Sequence, residues 1–344
     1  MDMFRRNFLL MDHSYYNDTS VILHRITTPP HSPELYSLFG ERFENMVKLD
    51  WPTPLEYTNF HPCGSASVNG ILCMEGMKIG SIWDKRVVFW NPATREYKVT
   101  PPSPFAFVSP YWDPSICIHG FGYDQFNDDH KVIRHIKFYM DEWETSDDEP
   151  PEDLWEIYCL KSNKWRKLDL NMPREYCSSV GVQVYTDGVC HWWGDHDYES
   201  GINDKDYLVS FDLNNETFVK TSLPSKHYID SATAYMFRHL NMLNGSIGLI
   251  SYYSKTSIFH ISILGEVGIK ESWVKLFIVG PSPCVDRPIG IGKKGDIFFC
   301  KNDDGLVWFN LNTQKTEELG LKGGDSFRTM IYKESLLPFE RIND

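Results

Sequence analysis

The chain is short of positive charge. Thirty-four lysines and arginines face 47 aspartates and glutamates, leaving a formal net charge of −13. General affinity for nucleic acid needs clustered Lys/Arg that displaces counterions, so this balance argues against that class. Long apolar runs are also missing: none approaches the ~20 residues of a membrane-spanning helix. The N-terminus, Met1-Asp-Met-Phe-Arg-Arg-Asn-Phe-Leu-Leu-Met11, is basic and then apolar, but its longest run is only Phe8–Met11. A secretory signal needs an apolar core of about 7–15 residues and a small-residue cleavage site, so the expected location is cytosol or nucleus, away from membranes.

The eight cysteines form no C-x-x-C pair. Several sit in strand-like apolar runs, as in Ile71-Leu-Cys73-Met and Ile297-Phe-Phe-Cys300, so buried free thiols are expected rather than a disulfide framework. Acceptor triplets for glycosylation begin at Asn17, Asn215 and Asn244 and are inert without secretion. Nucleophile elbows, H-E-x-x-H zinc sites and phosphate-binding P-loops are absent, as is the sialidase-type S-x-D-x-G-x-T-W repeat. Carboxylates for glycoside chemistry must flank a bond at ~5–9.5 Å, and no such pair stands out. No catalytic residue, cofactor or metal is therefore assigned.

What the chain has in plenty is aromatic side chains, 21 Phe, 11 Trp and 18 Tyr, a composition that suits a pleated, half-buried surface. Short apolar or alternating runs recur between Gly, Pro, Asn and Asp, among them Val87–Trp90, Val132–Tyr139, Trp155–Leu160, Tyr207–Leu213, Ile258–Leu264 and Leu306–Leu311. Only Phe4–Met11 and Ser231–Leu243 admit a helical reading, and neither is convincingly capped.

A strand–polar turn–aromatic–strand segment repeats six times. Its marker residues are Ser37, Asn91, Cys159, Asp212, Ser262 and Asn310, spaced by 54, 68, 53, 50 and 48 residues. The long step holds an insertion, Asp141–Asp153, with eight acidic residues and two prolines in thirteen, read as a solvated mobile loop. A second repeat places Asn69-Gly70, Asp187-Gly188 and Asn244-Gly245, with Gly295-Asp296 as a variant, before apolar runs. Such pairs favour two-residue hairpins because both positions take positive φ, so each is expected to open a new sheet. A period near 50 with several strands per unit predicts an all-β fold, a β-propeller. Six blades are expected, with the strand beginning at Arg328 completing the N-terminal blade; seven follow if the 110–170 region splits.

Gly290-Ile-Gly292-Lys-Lys-Gly295 is a literal G-x-G-x-x-G, but it leads into a strand rather than a helix, which points to a hairpin turn. His191-Trp-Trp-Gly-Asp195-His196-Asp197 is the densest set of possible ligands; without zinc-like spacing it reads as a polar rim loop. Trp90, Trp165, Trp273 and Trp308 fall at or near repeat positions and are expected to pack between blades. Tyr111, Trp112, His196, Tyr198 and Tyr228 fall instead in Pro-, Gly- or charge-rich connections and are the candidate partner-binding residues, since exposed aromatics anchor interfaces.

The wording of the repeats resembles a known family. Val87-Val-Phe-Trp-Asn-Pro-Ala-Thr-Arg-Glu-Tyr-Lys-Val-Thr-Pro-Pro-Ser103 resembles the signature of plant F-box-associated domains, as do Ser67-Val-Asn-Gly-Ile-Leu-Cys73, His119-Gly-Phe-Gly-Tyr-Asp124 and Asp128–Arg134. Leu35–Leu49 is similar to legume members, and the likeness spans roughly residues 3 to 339. The resemblance implies a kelch-like propeller that holds a target protein, in receptors whose separate N-terminal F-box binds a Skp-type adaptor and so a cullin ubiquitin ligase. No F-box pattern precedes Tyr15. The expected layout is a residual segment at 1–14, the propeller at 15–339 and a tail at 340–344. The function expected is non-catalytic target recognition. A stand-alone or truncated interaction module, or a propeller enzyme or lectin, remain the alternatives. The acidic balance suggests basic partners through steering.

Overall fold

The computed structural model describes residues 18–26, 33–52, 56–80, 84–106, 111–140, 149, 151–170, 183–194, 207–223, 236–253, 256–280, 285–292, 296–322, 326–337 and 339. Among them the regular structure is β, apart from one 3-10 turn at Lys270–Ser272. The strands are β1 (Thr19–Ile26), β2 (Glu34–Phe39) and β3 (Asn45–Leu49), then β4 (Tyr57–Val68), β5 (Ile71–Lys78), β6 (Lys85–Trp90) and β7 (Tyr97–Val99). Next come β8 (Trp112–Asp124), β9 (Asp129–Met140), β10 (Leu154–Cys159) and β11 (Lys164–Lys167), then β12 (Val184–Thr186), β13 (Val189–Gly194), β14 (Tyr207–Asp212) and β15 (Thr217–Ser222). The last are β16 (Met236–Leu243), β17 (Ser246–Tyr253), β18 (Ile258–Leu264), β19 (Trp273–Val279), β20 (Val285–Ile291), β21 (Ile297–Lys301), β22 (Gly305–Asn310), β23 (Lys315–Lys322) and β24 (Ser326–Lys333).

From β4 onward each consecutive set of four strands is an antiparallel sheet, five in all, and the region 110–170 forms a single blade rather than two. The sixth sheet is β3-β2-β1-β24: β24 pairs with β1 over eight residues, from Thr19↔Lys333 to Ile26↔Ser326. The C-terminal strand thus completes the N-terminal blade, and a parallel bridge from Ile331 to Ala66 links it to β4. The innermost strands neighbour one another in the cyclic order β4, β8, β12, β16, β20, β24 and back to β4. The chain is a β-propeller of six four-stranded blades.

Apolar side chains fill the spaces between successive blades. Trp165 packs with Phe89, Phe121 and Tyr158 between the second and third blades, and Trp308 packs with Phe43 and Phe298 between the sixth and first. Trp90 lies in the cluster of Ile22, Phe60 and Met330, and Trp273 rests half-buried against the cluster of Val184 and Leu240. These four tryptophans are blade-packing residues, as their repeat positions implied.

The hairpins follow their turn chemistry. Asn69-Gly70, Asp187-Gly188 and Asn244-Gly245 have φ of 53° and 81°, 48° and 85°, and 51° and 77°, and each joins the two innermost strands of its blade. The other repeat is the outer hairpin, and its true marker is a positive φ four residues on: Phe43, Arg95, Asn163, Glu216, Gly268 and Gln314. The equivalent markers are therefore Phe39, Asn91, Cys159, Asp212, Leu264 and Asn310. Ser37 and Ser262 were each two residues early, because the αL position is held there by Phe43 and Gly268 rather than by a polar turn residue.

Other expectations are corrected. Residues 236–243 of the supposed helix form strand β16, since tertiary pairing with β17 overrides the weak helical pattern; Phe4–Met11 lies outside the described residues. His191 and Trp192 are buried inside β13 rather than on a rim loop, with His191 Nδ1 2.8 Å from Ser210 Oγ, while 195–197 lie outside the described residues. Cys117 is disulfide-bonded, against the expectation of free thiols, whereas Cys63, Cys73, Cys159, Cys190 and Cys300 are unbridged. The G-x-G segment, by contrast, behaves as expected: it ends β20, with Gly290 (φ 152°) against the Thr329 hydroxyl, and strand β21 follows in antiparallel pairing.

Candidate partner-binding face

Strand alternation gives every blade two different ends. At one, the turn end, innermost strands pass to their neighbours and third strands pass to the outermost ones. Its connections run from two residues, as at 69–70, to eight at 265–272. At the other, the connection end, second strands pass to third and each blade hands over to the next. All connections of twelve residues or more lie there: 100–111, 141–153, 168–183, 195–206 and 223–235. These five serve the third and fourth blades and their borders.

The candidate residues follow this division. Trp112 opens β8 at the connection end, next to Tyr111, which is 46 % exposed. Trp112 itself is half-buried against the cluster of Ala106, Ile116, Ile136 and Phe138, so it packs a blade edge. His196, Tyr198 and Tyr228 lie outside the described residues; the strands flanking them, β13, β14, β15 and β16, end or begin at the connection end. Exposed apolar residues Ile79, Tyr139 and Ile278, which sequence reading did not single out, stand at strand ends on the same side.

Buried polar groups anchor this end. Glu156 of β10 is fully buried; it receives a hydrogen bond from Ser103 Oγ (2.6 Å), in the 100–111 connection, and from Arg134 Nε (2.6 Å). The Arg134 guanidinium also lies 3.6 Å over the Trp165 ring. Burial of such a pair is tolerable only because both ions are bonded on several sides. Toward the turn end, Lys131 Nζ meets Asp124 Oδ2 (2.6 Å), Leu213 O (2.9 Å) and Glu216 Oε1 (3.1 Å), tying the third blade to the fourth. Burial works against ionising Asp124, yet hydrogen bonds from Lys131 and Asn127 hold its carboxyl below the usual range.

Near the axis, arginines occupy the third position of three successive innermost strands: Arg238 of β16, Arg287 of β20 and Arg328 of β24. The signal in the sequence is Arg238-His-Leu240, Arg287-Pro-Ile289 and Arg328-Thr-Met330 ahead of the blade-opening turns, and sequence reading missed it. Arg328 lies opposite His24 in the β1–β24 register. Its charge helps lower the pKa of His24, His61 and His239, whose main cause is burial; His24 falls to about 3 and His239 to about 4. Both His24 ring nitrogens are buried without a hydrogen-bond partner among the described residues, and its ring meets Trp51 (5.6 Å) and His61 (5.9 Å) edge-on.

Among the described residues, no three His, Cys, Asp or Glu side chains converge to hold a metal ion, and no helix is long and apolar enough to cross a membrane. A small cavity lined by Cys63, Ser65, Ala66, Phe121, Gln183 and Tyr185 has room for about one water molecule by volume (≈ 10 Å³).

Comparison with known proteins places this architecture. The profile of the F-box associated beta propeller domain matches residues 35–336. Among curated relatives, F-box protein At4g22390 of Arabidopsis thaliana is 24% identical over 349 residues, covering 93% of this chain and 80% of that protein. F-box protein CPR1 of Arabidopsis thaliana is 24% identical over 253 residues, covering 68% of this chain, which spans 59% of CPR1's length. Among solved structures, an oligogalacturonate lyase from Vibrio parahaemolyticus aligns with a TM-score of 0.45 at 11% identity, over 89% of this chain and 80% of that one. With the match running over residues 35–336, from β2 to beyond β24, the chain belongs to the F-box associated beta propeller domain family.

Proposed function

We propose that this chain is the target-holding part of a plant SCF-type ubiquitin ligase receptor, binding a protein without performing chemistry on it. The observation that carries the reading is the family match over residues 35–336. The division of the blades supports it: a scaffold fixed by short turns carries its long connections, with Tyr111, on one side. In such a receptor the propeller contributes proximity, and the transfer belongs to partner subunits. Coupling to the ligase runs through a Skp-type adaptor and a cullin, in the cytosol or nucleus. Tyr111, Trp112, His196, Tyr198 and Tyr228 are the proposed contacts.

The test is an affinity pull-down of this chain from plant extract, with mass spectrometry of what co-elutes. A reproducible partner, lost when Tyr111 and Trp112 are both changed to Ala, is expected. Adaptor and cullin alongside it would establish ligase coupling; the partner alone would leave an interaction module. Recovery of no partner above a scrambled-surface control would overturn the reading.

A further inference from the structure

Cys63 and Cys73 lie directly opposite one another in the antiparallel pairing of β4 with β5. Both are unbridged, and both pack in the apolar cluster between the second and third blades, so their side chains share one face of the sheet. The Cys73 thiol is hydrogen-bonded to Cys63, whose own Sγ donates to His61 O at 3.7 Å. Among the described residues no other unbridged cysteine is matched in this way. Cys159 opposes Lys131 and Lys164, Cys190 opposes Tyr185 and Phe211, and Cys300 opposes Arg287 and Leu306.

The spacing suits a covalent bond. Directly opposed strand residues have Cα atoms about 4.5–5.5 Å apart, inside the range of about 4.4–6.8 Å that a disulfide spans. Their Cβ atoms must draw in by about 1 Å to reach the usual disulfide separation of about 3.8 Å. The backbone beside Cys63 has that freedom: pairing is interrupted there, with 64–67 of β4 standing against residue 72 of β5, and Gly64 (φ 88°) turns the chain. The two thiols are also unequal. Cys63 is half-buried and lines the cavity with room for about one water (≈ 10 Å³). Cys73 is 1% exposed, and burial pushes its thiol well above the usual range. A small oxidant meets Cys63 first, while Cys73 stays protonated and unreactive on its own.

We propose that Cys63 and Cys73 are a reversible oxidation site, closed to a cross-strand disulfide by hydrogen peroxide and reopened by thiol exchange. The Cys63 sulfur, having released its proton, attacks the peroxide and the O–O bond breaks. The departing hydroxide takes up that proton as water, leaving a sulfenic acid. The Cys73 sulfur then attacks Cys63, the S–O bond breaks, and the hydroxyl leaves as water with the Cys73 proton. Two thiols thus lose two electrons in all, and one hydrogen peroxide is reduced to two waters. The bond ties the interrupted stretch of β4, which carries the bridge from Ala66 to Ile331 of β24, to β5. The site stands apart from the target-holding reading and does not depend on it.

Trypsin reads this directly, because no lysine or arginine lies between Lys48 and Lys78, and the peptide 49–78 carries these two cysteines and no other. The full chain is oxidised with hydrogen peroxide, alkylated with iodoacetamide, digested without reductant, and its peptides are weighed and fragmented. The expected product is peptide 49–78 short of two hydrogens and unalkylated, with both thiols restored by dithiothreitol. Cys63→Ser should leave Cys73 reduced and linked to nothing. In glutathione buffers the native chain should hold the bond about tenfold or more tightly than the urea-unfolded chain, since the register keeps the sulfurs together. Three results overturn the inference. One is sulfinic or sulfonic acid at Cys63 with Cys73 still a free thiol. Another is a link from Cys73 to Cys190, whose thiol it feels electrostatically, which would join two tryptic peptides. The third is a native chain that holds the bond no better than the unfolded one.

Discussion

The two ends of the blades obey different constraints. At the turn end, each connection must reverse the chain within a few residues, so backbone geometry dictates residue type: αL conformations recur at fixed offsets, from Asn69-Gly70 to Gln314. That end is also strapped. Residues 334–337 run past the second blade, with Asn91 Nδ2 donating to Ser335 O (2.8 Å), and Phe339 buries itself among Phe89, Tyr158 and Trp165. At the connection end, chain length is free to vary from three residues to sixteen, because strand register is already set from the other side. The difference shows how one scaffold can hold its shape while varying what it presents.

The first way to stress this comparison is acidification, which acts on the body that both ends share. Burial holds His24, His119 and His191 at about 3 and His130, His135 and His239 at about 4. Unfolded, these rings titrate near 6.5, so between that pH and 4 the unfolded chain binds more protons. Stability is therefore complete above about pH 6.5 and lost as pH falls toward 4. A melting curve at pH 5 should sit at least about 5 °C below that at pH 7; equal values would show that these histidines are solvated.

Glu156→Ala breaks the anchor of the connection end. It strands Arg134 without its counter-ion and frees the hydroxyl of Ser103, at an expected cost of about 3–5 kcal/mol in denaturant unfolding. A loss under about 1 kcal/mol would contradict the buried pairing.

Two glycines of the same backbone class sharpen the contrast. Gly70 (φ 81°) at the turn end and Gly80 (φ 83°) at the connection end carry the same αL penalty, about 1–2 kcal/mol for alanine. An added Cβ at Gly70 would run into Ser335, whereas at Gly80 nothing lies within 4 Å. Gly70→Ala should therefore cost about 1 kcal/mol or more beyond Gly80→Ala, and equal costs would show that the C-terminal strap yields freely. The smallest effect is expected from Gln314→Gly, which relieves an αL side chain at φ 56°: a shift within about 1 kcal/mol, neutral or stabilising.

Much of the turn end was legible in the sequence because its chemistry is local. Asn-Gly and Asp-Gly announced three inner hairpins, and the outer-hairpin period gave the blade count, the completing strand at Arg328 and the packing role of Trp90, Trp165 and Trp308. Two outer hairpins were misplaced by two residues because Phe43 and Gly268 do not look like the polar residues that hold the same conformation elsewhere. The connection end was less legible, since what gathers there is set by topology. His191 looked like a loop ligand until pairing with Val184 and Ser210 put it inside a blade. Arg238, Arg287 and Arg328 sit 49 and 41 residues apart in the chain, and their common place as third residue of an innermost strand is visible only once the strands are known.

Recognition by the connection end is the central claim, and hydrogen exchange of the chain with and without its pull-down partner tests it most directly. Protection is expected in the amides around Tyr111 and Trp112. The turns at 69–70, 187–188 and 244–245 should exchange as before. Protection confined to those turns and the 334–337 strap would contradict the claim and move the binding surface to the opposite end of the blades.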